Sequence, residues 1–87
     1  MNIVNVSNQA KGSFERAVAE ARKGDVIIYH VGLTCQKAKH RRIAMGAYEV
    51  GLVLLVKIRL SPDGMFSHRA IRTKKHYHSF HEARDEN

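Results

Sequence analysis

The apolar and polar positions divide the chain into a few short elements followed by a polar tail. Phe14, Ala17, Val18 and Ala21 recur at helical spacing and form one apolar stripe, which predicts a helix over 14–23. Ser13 precedes it as an N-cap, Glu15 falls in the first turn, and Arg22 and Lys23 fall in the last, in keeping with the helix dipole. Gly24 then suits a left-handed cap. Val26-Ile27-Ile28-Tyr29-His30-Val31 predicts a short strand closed by Gly32. Ahead of the helix, residues 2–6 read as an edge strand and residues 7–12 as a loop.

A second helix follows Thr34, but its pattern has two parts. Gln36-Lys37-Ala38-Lys39-His40-Arg41-Arg42 is almost wholly polar, whereas Ile43, Ala44, Ala47, Tyr48 and Val50 share a helical face. A continuous helix would turn Gln36 and His40 toward the core. A turn, break or protruding end is therefore expected before about Arg41, with the helix ending near Val50 at Gly51.

Residues 52–60 form a strong strand pattern and residues 66–72 a weaker one. Between them, Ser61-Pro62-Asp63-Gly64 offers Pro for a fixed φ and Gly for the left-handed region of a hairpin turn. The expected register pairs Ser61 with Met65, Leu60 with Phe66, Ile58 with His68, Lys57 with Arg69 and Val56 with Ala70. One face would then be core, carrying Leu52, Leu54, Val56, Ile58, Leu60, Phe66 and Ala70. The other would carry Lys57, Arg59, Ser67 and Arg69, with Val53, Leu55 and Ile71 nearer the base. Like charges set opposite one another destabilise a strand pair, so this register makes sense if an anion sits over it.

The order helix, strand, helix, hairpin is that of a small α+β domain of winged helix-turn-helix type, with a two- or three-stranded antiparallel sheet. Gly24-Asp25-Val26-Ile27-Ile28-Tyr29-His30 and Ala47-Tyr48-Glu49-Val50-Gly51-Leu52-Val53-Leu54-Leu55-Val56, followed by Phe66 and Ala70-Ile71-Arg72, extend this reading. In these stretches the chain resembles small, mostly uncharacterised phage and prophage proteins with this layout. The shared positions are mainly structural glycines and core residues. The resemblance therefore bears on the fold more than on the function, and the basic run 37–42 lies outside it. Residues 1–75 would form the domain and residues 76–87, with alternating charge and no apolar period, a flexible C-terminal tail.

Charge sharpens the picture. The chain has 87 residues, with 15 Lys and Arg against 8 Asp and Glu, for a net charge of +7. Ten of the basic residues and only two acids lie between Gln36 and Lys75. An apolar fraction of 44% argues against a disordered polybasic tail. Such a balance suits nucleic acid or an acidic protein surface.

The candidate phosphate-contacting residues are Lys37, Lys39, Arg41 and Arg42 before the second helix, and Lys57, Arg59 and Arg69 on the hairpin. The bland alternative is a solvated helix start and a charged surface strand. Double-stranded DNA is the expected partner. The alternative function is a phage-encoded inhibitor that binds an acidic surface of a host protein. The sequence leaves a homodimer open.

Other chemistry finds little footing. His76, His78 and His81 are close in sequence, but a frayed tail gives zinc neither fixed geometry nor supporting hydrogen bonds, so no metal and no cofactor are expected. His30 and His68 read better as partly buried, hydrogen-bonded residues. No serine, nor Cys35, lies in a nucleophile motif, and the six glycines are scattered singly, so no enzyme is expected. A single cysteine excludes an internal disulfide and fits a reducing compartment. Met1-Asn2-Ile3-Val4-Asn5 lacks the order of a signal peptide and no apolar run is long enough to span a membrane, so a cytoplasmic protein is expected.

Overall fold

A computed structural model of the chain describes residues 1–34 and 38–75. The expected flexible tail, 76–87, and the candidate Lys37 lie outside the described residues. The elements are β1 (Ile3–Asn5), α1 (Ser13–Glu20), β2 (Val26–Gly32), α2 (Arg41–Glu49), β3 (Val53–Arg59) and β4 (Phe66–Arg72). The α+β class agrees with expectation. The sheet has four strands in the order β1-β2-β4-β3, and it is mixed. β1 runs parallel to β2, whereas β2–β4 and β3–β4 are antiparallel. This corrects the two- or three-stranded antiparallel sheet: α1 carries the chain across from β1 to β2, and such a crossover makes neighbouring strands parallel.

α1 begins at Ser13, with Gly12 at the N-cap in the left-handed region at φ 93°, so Ser13 is not the cap. Its hydroxyl instead donates to the Ala10 carbonyl at 2.7 Å. The helix stops at Glu20, short of the expected 14–23, because the chain becomes extended at Ala21. Asp25 organises the turn that follows. Its carboxylate accepts from the backbone N–H of Arg22 at 2.9 Å and of Asn2 at 3.0 Å, tying the start of β1 to the α1–β2 corner. These N–H groups hold the Asp25 carboxyl below its ordinary value. Gly24 has φ 89° inside this turn, so its left-handed conformation serves the corner rather than the helix end.

The helices cover one face of the sheet. Phe14 and Val18 on α1 and Ala44 and Ala47 on α2 pack with Val6, Ile27, Tyr29, Leu52, Val53 and Ala70. Full burial of the Phe14 ring alone is worth about 1.5–3 kcal/mol. The break expected before Arg41 is present, since α2 starts there. His40, at the N-cap, is 1% exposed and stacks on Phe14 at 6.5 Å. Its Nε2–H donates to the Val6 carbonyl at 2.8 Å. That bond replaces a continuing helix and pins the β1–α1 loop to the start of α2.

The register of the hairpin differs from expectation by one residue. Lys57 pairs with His68, Val56 with Arg69, Leu55 with Ala70 and Arg59 with Phe66. The reason lies in the loop. The Leu60 N–H donates to the Met65 carbonyl at 2.7 Å, closing a four-residue loop over Ser61-Pro62-Asp63-Gly64, with Gly64 at φ 90°. The expected register required a loop one residue shorter. A slip of one residue exchanges faces. Val53 and Leu55 therefore face the helices, while Leu54, Val56, Ile58 and Leu60 remain 55%, 38%, 43% and 52% exposed.

Candidate nucleic-acid interface

The end of the hairpin carries the basic residues. Lys57 and Arg59 are exposed and share a face with Phe66, the Lys57 ammonium 4.8 Å and the Arg59 guanidinium 5.8 Å from its ring centre. Each such contact is worth about 0.5–1 kcal/mol at an exposed site. They hold the two cations at defined positions without neutralising them.

Across the ladder from Lys57 lies His68, and across the next ladder lies His30. A register irregularity between Ile28 and His30 brings His30 into line with His68. The imidazole centroids are 5.4 Å apart. His30 Nε2–H donates to the Thr34 carbonyl at 2.8 Å, as a hydrogen-bonded histidine should. His68 is buried and hydrogen-bonded to the Gly32 backbone, as expected, but its Nε2 finds no hydrogen-bond partner. Burial first, then the neighbouring His30 and Lys57, pushes the His68 pKa below its ordinary value of 6.5, against an opposing backbone hydrogen bond at Gly32.

Arg69 stands apart. It faces the side of the sheet away from the helices, between Val56 and Ile28, and its Nε donates to the Ser67 hydroxyl at 2.9 Å. Lys57, Arg59 and Arg69 therefore do not form one basic face, and the opposition of Lys57 to Arg69 is replaced by that of Lys57 to His68. Arg41 and Arg42 are exposed in the first turn of α2, which contains no acid. Cations are unfavourable beside the unpaired N–H groups of a helix start unless an anion joins them. Lys39 is exposed just before that turn, with its ammonium donating to the Gln9 carbonyl at 3.0 Å. A groove with Asn5, Ser7, His30 and Lys39 among its walls links this segment to the histidine row.

Sequence reasoning missed the row His30–His68–Lys57, and also Arg72. Arg72 is buried beneath the sheet end and donates to the carbonyls of Val18, Leu52, Thr73 and Lys75. Its role is structural. Only the register could have revealed the histidine row, and the expected register had removed it.

Among the described residues, no group of three or more His, Cys, Asp or Glu gathers as metal ligands, and no helix is long and apolar enough to cross a membrane. Compared with family models, curated proteins and solved structures, the chain matches none.

Proposed function

We propose that this chain is a nucleic-acid-binding protein that contacts phosphates through Lys57 and Arg59 on the hairpin and through Lys39, Arg41 and Arg42 at the start of α2. The observation that carries the reading is the pair of exposed cations, Lys57 and Arg59, held over Phe66. The role is binding rather than catalysis. In its specific form the protein is a phage-type regulator in which α2 approaches the major groove and the β3–β4 hairpin lies along the backbone as a wing. The order of elements and the resemblance to small phage proteins support that form.

The test is binding of the full chain to arbitrary duplex DNA as a function of salt, followed by fluorescence anisotropy. Five phosphate contacts give a slope of log K against log salt of about −4 to −5. No salt-dependent binding at low ionic strength would overturn the reading.

A second reading has its own observation. Leu54, Val56 and Ile58 form an exposed apolar strip beside Arg69, on the sheet face away from the helices. A protein surface covers such a strip better than a duplex does. That favours an inhibitor of a host protein with an acidic, partly apolar binding surface. Capture of a host protein that survives nuclease treatment, together with absent duplex binding, would select it.

A further inference from the structure

On the helix-covered side of the sheet, one row of groups lies outside the core. Lys57 on β3, His68 on β4 and His30 on β2 are register partners across three adjacent strands. Lys57 and His68 also wall a shallow hollow with Tyr29 and Leu55. A cation and two imidazoles set side by side repel one another whenever the imidazoles are charged, and the sheet gains nothing from that repulsion. The buried His68 Nε2 lacks a partner in addition. Both features are relieved by the same guest: an anion with several acceptor oxygens.

We propose that Lys57, His68 and His30 form a site for a phosphate group, and that its occupation draws a proton onto His68. The proposal deepens the nucleic-acid reading and rests on it for the source of the phosphate, which is then a backbone phosphodiester; a free phosphorylated compound is the other source. The Lys57 ammonium and a His68 Nε2–H donate to the anion. Arg59 lies one row further along the same face, beside Phe66, where it meets the next phosphate of a strand.

The proton linkage follows from the neighbours. His30 and Tyr29 from β2 and Lys57 from β3 face His68, with Arg59 beyond Phe66, and among the described residues no carboxylate contributes to its charge balance. Without an anion the neutral imidazole is favoured; with one in place the sign of the local field reverses and the charged form is favoured. His30 is held beside it, its Nε2–H committed to the Thr34 carbonyl. A Cβ at Gly32 would come within 2.9 Å of the His30 Nε2, so the strand leaves bare backbone beside the ring.

The experiment follows the imidazole resonances of the full chain by NMR across pH, alone, with sulfate and with a duplex oligonucleotide. Sulfate serves as the small-anion probe because, like a phosphodiester, it does not titrate in this range. The expected result is that both ligands shift His68 and His30 and raise the apparent pKa of His68. Sulfate should bind at least about fivefold tighter at about pH 5.5 than at about pH 7.5. Lys57→Gln, at an exposed position, should abolish the shift at His68 with the fold intact. His68→Gln should remove the pH dependence of sulfate binding, and His68→Asn gives the same test if His68→Gln does not fold.

Duplex binding without any response at His68 or His30 overturns the site while the nucleic-acid reading stands. A sulfate response without duplex binding upholds the site and overturns that reading, making a free phosphorylated compound the ligand. No response to either ligand overturns the site.

Discussion

Lys57 lies directly across the β3–β4 ladder from His68, and its neighbour Val56 lies across from Arg69. This relationship decides which side chains share a face, and it turns the apolar residues Leu54, Val56 and Ile58 away from the core. Substitution can read the register directly. Val56→Thr should change stability by less than about 0.5 kcal/mol, as at an ordinary surface position. Val53→Ala, at a position 1% exposed, should cost about 2 kcal/mol. Denaturant unfolding of both variants checks this, and the reverse ranking would restore the register in which Val56 is core.

Arg72 carries a prediction about the end of the sheet. Its guanidinium satisfies carbonyls from α1, from the α2–β3 connection and from the chain after β4. Arg72→Met keeps much of the stem but leaves the Val18 and Leu52 carbonyls without this donor. Hydrogen bonds to a charged group contribute about 1.5–3 kcal/mol each, and the lost bonds share one desolvated cation, so a total loss of about 2–4 kcal/mol is expected. Thermal and denaturant unfolding would measure it. A variant as stable as wild type would show that water replaces the guanidinium at no cost.

The parts of the fold legible in the sequence are those with a single period or an unambiguous breaker. The stripe Phe14, Val18 marked α1, and the change from polar to apolar at Ile43 marked the start of α2. The hairpin register was not legible. Residues 52–56 are continuously apolar, so they carry no alternation to say which face is buried, and the register rests on the turn alone. A turn one residue shorter than the one formed puts Lys57 and Arg59 on the outward face with Arg69. In the structure they point to the helix side near the tip of the hairpin, where both remain exposed. For the candidate site, the helix-start cations could be read from sequence alone. The row His30–His68–Lys57 could not, because three strands must be aligned to bring it together.

The pH dependence of stability offers a third check. The folded chain holds the His68 pKa below 6.5, chiefly by burial and then by His30 and Lys57. Between that lowered value and 6.5 the unfolded chain binds more protons than the folded one, so stability rises with pH through this window. The contribution is complete above 6.5 and is lost as pH falls toward the folded value. In buffer free of multivalent anions, the unfolding midpoint should therefore drop from about pH 7.5 to about pH 5.5, and His68→Gln should flatten that part of the profile. An unchanged slope in the variant would assign the effect to other groups.

The last prediction separates the two faces of the hairpin. Lys57 and Arg59 extend over Phe66 on the helix side, whereas Arg69 lies on the other side with its Nε committed to Ser67. A phosphate backbone running along one face cannot engage both sets equally. Lys57→Gln with Arg59→Gln should therefore lower the salt slope of duplex binding by about two and weaken all sequences alike. Arg69→Gln should change that slope by less than about half a unit. Neither change should cost much stability, because the two β3 cations are exposed and their contacts with Phe66 are each worth only about 0.5–1 kcal/mol. Salt titrations of the three proteins on one duplex decide the matter. A larger effect from Arg69 would move the duplex interface to the open sheet face, beside the exposed strip of Leu54, Val56 and Ile58.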